Sequence, residues 1–503
     1  MSAKKTVFLT GATGSMGSAG LRELCKNLDK YHLVLLVRPS AKNREMLQPY
    51  AELAAVKIVW GDLNNYEDIK ACVQIADIVL HVAAFVSPEA DYYPELAMQI
   101  NYGSTCKIIK AIKECQTIKP IKLVYIGTIA QTGDRMPPIH WGRVGDPIKP
   151  SIHDYYAVSK VAAERAVIES GLKYWVSLRQ TGIFAKHMCE IQDGIIFHNC
   201  LNNVLEYVSD DDSGVLLSHV CEDLPEEFWG HIYNIGGGKA TRLSAYQLYS
   251  TMFGMLGITK LENALEANWF ATRNFHGQFY LDSDKLEDFL HFRSHDAKYL
   301  WDIYENLNKR ALKIAKIITK LPGGEKLVGN GIKSNFKKLA KTGHGTLSWL
   351  EQNNLEFIEP FFISREQQEL IPLMKDFKPY ANYQEVIHIE HGYDESKPLQ
   401  ELCLADIKKA ASFRGGKCLA QEMVTGDWMQ KLSFSCAFGH SFLASPKLIL
   451  EGGHWCPECE RTSWNYHELA KRSEFFAGVW YPLHKTNEPS KEYPKIVNEL
   501  AYS

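Results

Sequence analysis

An apolar run followed by three evenly spaced glycines lies near the start of the chain. Residues 7–17 read Val-Phe-Leu-Thr-Gly-Ala-Thr-Gly-Ser-Met-Gly. This order is typical of a strand that turns directly into a helix: the first glycine permits the tight turn, the second lets a pyrophosphate approach, and the third allows close packing. The helix N-terminus adds amide donors and a positive dipole end. The pattern predicts a nucleotide-binding turn formed by Gly11, Thr13, Gly14, Ser15, Met16 and Gly17.

Short apolar, β-branched runs recur along the first 180 residues. They occupy residues 6–10, 33–37, 56–60, 77–82, 121–127 and 174–179. Helical patterns separate them at residues 15–29, 65–74, 91–116 and 154–170. Such alternation predicts an α/β fold with a doubly wound parallel sheet, because parallel strands need crossover helices between them.

A tyrosine and a lysine lie four residues apart in the segment Tyr156-Ala-Val-Ser-Lys160. On a helix, positions four apart share one face, and a nearby ammonium favours phenolate and lowers the pKa of a phenol. Tyr155 points about 100° away from Tyr156 and suits substrate contact or the core. Thr128, at the end of the fifth predicted strand, can hydrogen-bond the same substrate oxygen. These residues predict a proton-transfer site.

These motifs occur together and in a fixed order, along with Gly61-Asp62-Leu63, His81-Val82-Ala83-Ala84 and Asn101. Residues 1–290 thereby resemble an extended short-chain dehydrogenase/reductase of the NAD(P)-dependent epimerase/dehydratase type. The resemblance implies a Rossmann core at about 1–180 and a substrate lobe at about 180–290. It also implies a catalytic group of Thr128, Tyr156 and Lys160, with Asn101 in support or merely bridging two helices, and a cofactor flanked by Asp62, Leu63, Ala83, Ala84 and Lys160.

Three departures from the family bear on the substrate. Thr128 is followed by Ile129 and Ala130, where the family's sugar-nucleotide 4,6-dehydratases have Asp and Glu, so dehydration is disfavoured. Gln180 stands where many relatives have proline, and residues 185–230 lack a recognisable diphosphate-binding pattern, which argues against a nucleotide sugar. An aromatic, fairly apolar pocket is expected instead, or else core packing, from Phe197, Tyr207, Phe228 and Trp229.

Arg38 follows the second predicted strand, where an acidic residue would hold a ribose 2′-hydroxyl. An arginine favours a 2′-phosphate instead, so NADP(H) is expected over NAD(H). Ser40, Lys42 and Arg44 can add donors. The alternative is that Arg38 stacks on the adenine of NAD(H).

Beyond about residue 295 the resemblance ends, and residues 295–400 form a helical and irregular extension. Residues 297–342 are basic and helical, with a break at Pro322-Gly323-Gly324. They present either a solvated face or a docking surface for an anionic partner or a membrane. Helically spaced Ile314, Ile317, Ile318 and Leu321 can form an apolar stripe that equally suits packing on the first domain. Residues 355–400 read as an irregular connector.

A metal-ligand pattern lies near the C-terminus. Cys436-Ala-Phe-Gly-His440 is followed, after fifteen residues, by Cys456-Pro-Glu-Cys459. Residues 405–465 resemble treble-clef or zinc-ribbon modules, followed by a tail at 466–503. Four protein ligands close a tetrahedral site, so the expected zinc is structural. His454 and Cys418 are spare candidates, and reduced structural cysteines are the alternative.

Composition narrows the partners. A chain of 503 residues suggests two or three domains, and a net charge of −3 without basic–aromatic clusters does not favour nucleic acid. No apolar run reaches the roughly 18 residues of a membrane span. Twelve scattered cysteines and a start that reads as a strand rather than a signal peptide favour a reducing cytoplasm.

The sequence therefore predicts an NADP(H)-dependent oxidoreductase that interconverts a secondary alcohol and a ketone on a small, partly apolar molecule. The resemblance suggests steroid- or flavonoid-like substrates, and a homo-oligomer is compatible with it. An NAD(P)-dependent sugar epimerase that retains its cofactor is the enzymatic alternative. An NADP-sensing scaffold protein is the alternative from another class, although a sensor needs no proton donor.

Overall fold

The computed structural model describes residues 4–116 and 120–497. The few remaining positions of the predicted first domain and C-terminal tail lie outside the described residues. The elements up to residue 180 are β1 (Lys5–Thr10), α1 (Ser15–Cys25), β2 (Tyr31–Val37), α2 (Ala41–Ala51), β3 (Val56–Trp60), α3 (Tyr66–Val73), β4 (Ile78–His81), α4 (Glu89–Tyr92), α5 (Pro94–Ala97), α6 (Ser104–Cys115), β5 (Lys122–Thr128), β6 (Trp141–Gly142), α7 (Tyr155–Ile168) and β7 (Trp175–Gln180).

The next part completes the sheet and adds short strand pairs. Its elements are β8 (Ile183–Phe184), β9 (Val204–Glu206), β10 (Val208–Ser209), α8 (Asp210–His219), β11 (His231–Ile235), β12 (Arg242–Ser244), α9 (Ala245–Met255), β13 (Phe279–Tyr280) and α10 (Asp284–Leu290).

The C-terminal part is mostly helical. Its elements are α11 (Lys298–Thr319), α12 (Gly324–Ala340), α13 (Thr346–Glu351), α14 (Leu355–Phe362), α15 (Arg365–Glu369), α16 (Leu404–Phe413), β14 (Lys417–Cys418), β15 (Leu432–Ser435), β16 (Ser441–Ala444), α17 (Pro457–Thr462), β17 (Ser463–Trp464), α18 (Tyr466–Arg472), α19 (Glu474–Trp480) and β18 (Tyr493–Pro494).

Seven strands form one parallel sheet in the order β11-β7-β5-β4-β1-β2-β3. The chain order reverses between β1 and β4, so the carboxyl ends of these two strands flank the crevice where doubly wound folds bind ligands. The predicted Rossmann-type sheet is confirmed. Each of the six predicted strands lies within two residues of an observed strand, because buried parallel strands are continuous apolar runs.

The helix predicted over residues 91–116 is interrupted. Tyr93 has non-helical backbone angles, and Pro94 starts a new helix after it, as expected for a residue that precedes proline. A π-helical segment, Met98–Gly103, then precedes α6. It includes Asn101, one of the predicted site residues.

Two cores cover the two faces of the sheet. One core contains residues of α1, α8 and α10. The other contains residues of α3, α6 and α7 together with apolar residues between Leu402 and Val497. Tyr155, at the start of α7, packs edge-on against Trp464, with ring centroids 5.3 Å apart. The C-terminal module therefore shares the hydrophobic core of the sheet domain.

The extension after residue 295 is helical with the expected break, and its two helices form a hairpin. Helix α11 ends at Thr319 and α12 begins at Gly324, on either side of the Pro-Gly-Gly break. The connector predicted over 355–400 is helical in its first part, because Ser364 caps α15 and Phe361 of α14 packs on Trp349. Among the described residues, no helix combines the length and apolar character needed to cross a bilayer.

Candidate active site and metal centre

The glycine turn joins β1 to α1 at the carboxyl end of the sheet. Gly11 has φ +76°, and a side chain on it would meet the backbone of Ala83 at 2.8 Å. A side chain on Gly17 would lie 2.0 Å from the carbonyl oxygen of Gly11. At Gly14 the nearest atom would be 3.5 Å away, and no side chain caps the helix there. This leaves an exposed cradle that fits a dinucleotide pyrophosphate.

The ends of β1 and β4 are tied together beside this cradle. The Thr10 hydroxyl accepts hydrogen bonds from the backbone amides of Val82 and Ala83, both at 3.1 Å. It also lies 3.0 Å from Nδ1 of His81, whose pKa burial lowers to about 3. Ala83 and Ala84 are half-buried, as the predicted cofactor contact requires.

The predicted adenosine residues lie at the ends of β2 and β3. Arg38 is exposed and forms no ion pair with any part of the chain that the structure describes. Ser40 caps α2 by accepting from the Asn43 amide, and Arg44 lies 4.4 Å above the ring of Trp60. Asp62 and Leu63 are half-buried, and a carboxylate oxygen of Asp62 accepts from the Asn64 amide at 2.8 Å.

The predicted catalytic residues meet at the end of β5 and the first turns of α7. The side chains of Tyr156 and Thr128 are hydrogen-bonded. Lys160 is buried one turn along α7, and its Nζ donates to the carbonyl oxygen of Ile126 at 2.6 Å. The same ammonium lies 4.2 Å above the ring of Tyr125. Their joint catalytic role stays a prediction.

The expected lowering of the tyrosine pKa is wrong for this structure. Burial raises the pKa of Tyr156 to about 12, with Asp154 and Asp91 adding to the rise and the Thr128 hydrogen bond opposing it. Burial also lowers the pKa of Lys160 to about 7. Lys160 does not lower the pKa of Tyr156, because its ammonium donates to the Ile126 carbonyl oxygen. At neutral pH the phenol therefore keeps its proton.

Asn101 has a well-defined structural task. Its Oδ1 accepts from the amide of Phe85 at 2.7 Å, and its Nδ2 donates to the Phe85 carbonyl and to Oγ of Ser159, at 2.9 and 2.8 Å. It thus joins the loop after β4 to α7. This arrangement is the helix-bridging alternative, and direct participation in catalysis stays a prediction.

Sequence reasoning missed two groups near the site. Asp91 lies on the short helix α4, and one of its carboxylate oxygens accepts from the Tyr156 amide at 3.2 Å. Burial and the Asp154 charge raise the pKa of Asp91 to about 7. His187 lies against the glycine turn, with its Nδ1 2.9 Å from Oγ of Ser15. The sequence gives no signal for either contact, because both depend on chain segments remote from the motifs.

The predicted aromatic pocket is not formed. Phe228 and Trp229 belong to the core on the α1 side of the sheet, whereas Phe197 packs with Trp269 and Phe270 in a separate cluster. Only Tyr207 shares a cluster with Ile129, the residue after Thr128. The aromatic residues instead fill the cores, which is the alternative stated for them.

The four predicted metal ligands form one cluster. Cys436 and His440 flank the turn between β15 and β16, and Cys456 and Cys459 lie at the start of α17. Their ligand atoms all lie within 4.8 Å of one another. Nδ1 of His440 is 3.4 to 3.5 Å from the three sulfur atoms, and two of these sulfurs are 3.8 Å apart. A tetrahedral zinc ion with ordinary bond lengths implies about 3.5 Å and about 3.8 Å, so the donor set fits.

The spare candidates His454 and Cys418 are not members of this cluster. His454 is fully buried, and its Nε2 lies 3.2 Å from a carboxylate oxygen of Glu164 on α7. Glu164 also forms a two-pronged ion pair with Arg179, at 2.7 and 3.1 Å. The Arg179 side chain reaches the carbonyl oxygen of Gly452 at 2.7 Å. This buried network ties the metal module to the helix that carries Tyr156 and Lys160.

A doubly wound parallel sheet with a glycine cradle at the end of its first strand defines a dinucleotide-binding domain of the Rossmann type. Residues 7–210 match the model of the NAD dependent epimerase/dehydratase family. This part of the chain belongs to that family, in the extended short-chain dehydrogenase/reductase class.

Curated relatives match only part of the chain. A UDP-glucose 4-epimerase from Rickettsia bellii is 28% identical over 122 residues, covering 24% of this chain and 36% of the relative. A 2-alkyl-3-oxoalkanoate reductase from Shewanella oneidensis is 33% identical over 169 residues, covering 32% of this chain and 38% of the relative. The chain thus spans well under half of the length of these relatives.

Among solved structures, a dTDP-glucose 4,6-dehydratase from Bacillus anthracis in complex with NAD aligns with a TM-score of 0.48 at 15% identity. The alignment covers 61% of this chain and 97% of that structure.

Proposed function

We propose that the sheet domain catalyses NADP(H)-dependent interconversion of a ketone and a secondary alcohol. The observation that carries this proposal is a geometric one: the side chain of Tyr156 is hydrogen-bonded to Thr128 at the end of β5, and buried Lys160 lies one turn further along α7. Carbonyl reduction needs a proton donor placed at the substrate oxygen, and the phenol of Tyr156 can fill that role.

The residues around the phenol of Tyr156 would each have a separate role in the reaction. The backbone at Gly14 and the N-terminus of α1 would hold the pyrophosphate. A bound nicotinamide cofactor supplies or accepts the hydride. Thr128 would orient the substrate oxygen, and Tyr156 would donate its proton to that oxygen as hydride reaches the carbon. Lys160, whose pKa burial lowers to about 7, would stabilise the phenolate left behind only in its protonated form and with its ammonium turned from the Ile126 carbonyl oxygen towards the phenol.

The substrate is proposed to be small and partly apolar. Ile129 and Ala130, both buried, follow Thr128 where an acid–base pair would be needed for elimination. The Shewanella oneidensis relative is named as a reductase of 2-alkyl-3-oxoalkanoates, which are ketones with alkyl chains. The first observation disfavours elimination, and the second supports an alkyl-bearing ketone, a class that includes steroid- or flavonoid-like ketones.

An epimerase that retains its cofactor is the second candidate, favoured by the epimerase among the relatives. Absorbance of the reduced nicotinamide distinguishes the two. We expect steady consumption of NADPH with alkyl ketones. If the protein instead interconverts two sugar epimers without a net change in that absorbance, it is an epimerase and the reductase proposal is wrong.

The choice of cofactor is tested at Arg38. Arg38→Asp should shift the preference from NADP(H) towards NAD(H), because it removes a partner of the 2′-phosphate and adds repulsion. The loss of one charge-assisted contact, about 1.5–3 kcal/mol, predicts roughly a tenfold to hundredfold weaker NADPH affinity. Dissociation constants for both cofactors measure this, with Lys57→Asp as an exposed control elsewhere in the sheet domain. A wild-type protein that prefers NADH would contradict the assignment.

We also propose that the cluster of Cys436, His440, Cys456 and Cys459 holds one structural zinc ion. The distances between the donor atoms support tetrahedral coordination. With three thiolates and an imidazole bound, no coordination position remains for water or substrate, so no chemistry is expected there.

Removal of one ligand should release the metal. Elemental analysis should find about one zinc per chain, as expected for one four-ligand site, and Cys456→Ser should lose it together with thermal stability, because binding and folding of such sites are coupled. Cys418→Ser, at a buried cysteine outside the cluster, is the matched control and should keep the metal. Protein purified without chelators and free of zinc would refute the site.

A further inference from the structure

The hairpin of α11 and α12 carries exposed aliphatic side chains. We call these residues, with the cations among them, the hairpin face. Its apolar members are Leu307, Ile314, Ile317, Leu321 and Leu327, which are 41 to 68% exposed. Its basic members are Lys309, Arg310, Lys313, Lys316, Lys320 and Lys326. Of the stripe expected from the sequence, Ile314, Ile317 and Leu321 are exposed and do not pack on the sheet domain, whereas Ile318 is half-buried.

The aliphatic side chains form a line rather than a scatter. At 100° per residue, Leu307 and Ile314 fall about 20° apart on α11, and Ile317 lies about 60° further round. On the helix the line is about 15 Å long, and Leu321 follows two residues after the helix ends. The opposite side of α11 faces the protein, since Leu312 and Ala315 are buried. The exposed aliphatic side chains of the hairpin face therefore do not belong to the hydrophobic core.

The charge on the hairpin face is almost entirely positive. Between residues 307 and 327 there are six basic residues and one acidic residue, Glu325. Glu325 is already engaged, accepting from the amides of Thr259 and Lys260 at 3.1 and 2.9 Å. None of the six cations forms an ion pair with the described residues, whereas Lys333 and Lys341 further along pair with Glu266 and Glu351.

We propose that the hairpin face docks on an anionic lipid bilayer, with α11 lying parallel to the surface. An interfacial helix needs an aliphatic line to enter the acyl boundary and lysines beside it to meet lipid phosphates and carboxylates. Both are present on one solvent-facing surface. A nucleic acid would use the cations and leave the exposed Leu307, Ile314 and Ile317 of α11 without a partner. The proposal does not depend on the activity of the sheet domain.

The full-length protein should sediment with vesicles of phosphatidylserine and phosphatidylcholine and not with vesicles of phosphatidylcholine alone. Lys313→Glu, Lys316→Glu and Lys320→Glu together should weaken this binding by about a hundredfold or more, since each basic residue near an anionic surface contributes about fivefold. Ile314→Ser with Ile317→Ser should weaken it by about tenfold without a change of charge.

The matched control reverses three exposed lysines elsewhere, Lys57, Lys113 and Lys375, and should bind the anionic vesicles nearly as the wild type does. All the substituted side chains are exposed, so equal melting temperatures verify that the variants fold. The proposal is overturned if the wild type stays in solution, if the control loses binding as much as the hairpin variant, or if the isoleucine substitutions have no effect. Binding to duplex DNA that only the lysine substitutions weaken would assign the surface to nucleic acid instead.

Discussion

Tyr156→Phe should lower the rate of carbonyl reduction by about a hundredfold to ten-thousandfold, the usual contribution of a positioned general acid. The hydroxyl is the only part removed, and the ring at the start of α7 stays. Because the hydroxyl is needed at the reacting oxygen and not at the pyrophosphate, the dissociation constant for NADPH should stay nearly unchanged. Single-turnover oxidation of NADPH and a cofactor titration measure the two quantities.

Tyr155→Phe is the matched control for this prediction. Tyr155 precedes the proposed acid directly, but its ring is buried against Trp464 of the C-terminal module. Its hydroxyl therefore has no access to a substrate oxygen near Thr128, and the variant should keep most of its rate. Activity in Tyr156→Phe with loss of activity in Tyr155→Phe would reverse the assignment.

Local patterns were sufficient to predict the fold of the first 180 residues. The sheet strands are continuous apolar runs, and the glycine spacing reports a turn in which Gly11 and Gly17 have no room for a side chain. The clustering of Cys436, His440, Cys456 and Cys459 followed from their spacing, because each pair lies within one turn of chain. Interruption of the helix at Tyr93 was also visible in principle from Pro94.

Contacts between distant segments could not be predicted in the same way. Nothing in the sequence connects Asp91 with Tyr156, and the direction in which the Lys160 ammonium points depends on the carbonyl group of Ile126. Sequence reasoning therefore gave the tyrosine pKa the wrong direction. Aromatic residues such as Phe228 have no periodicity that separates pocket from core, and burial decided between the two.

The buried pair of Glu164 and Arg179 is expected to be a sensitive point of the fold. Both side chains are almost fully buried. The carboxylate accepts from Ser177 at 2.6 Å, from Arg179 and from His454. Burial opposes ionisation, but the Arg179 charge and the His454 hydrogen bond hold the pKa of Glu164 well below its usual value. Glu164→Gln should therefore lower the free energy of unfolding by about 3–5 kcal/mol, because it leaves a buried guanidinium without a counter-charge.

Chemical denaturation at several pH values tests this account. The ionised carboxylate stabilises the native state above its unfolded pKa, near 4.5, and this stabilisation is lost as the pH falls. The difference between wild type and Glu164→Gln should accordingly narrow below about pH 4.5. Glu369→Gln, which removes the partner of Arg365 in an exposed pair, is the control and should cost less than about 1 kcal/mol at any pH.

The same variant tests whether the C-terminal module and helix α7 act as one unit. Arg179 joins Glu164 on α7 to the Gly452 carbonyl, just before the second pair of proposed metal ligands. Residues after Leu402 also belong to the core that covers α6 and α7. If the coupling is as strong as these contacts imply, Glu164→Gln should lower the stability of both parts together, in a single unfolding transition. A variant in which the metal module unfolds first, while the sheet domain keeps its wild-type stability, would show that the network is not what joins them.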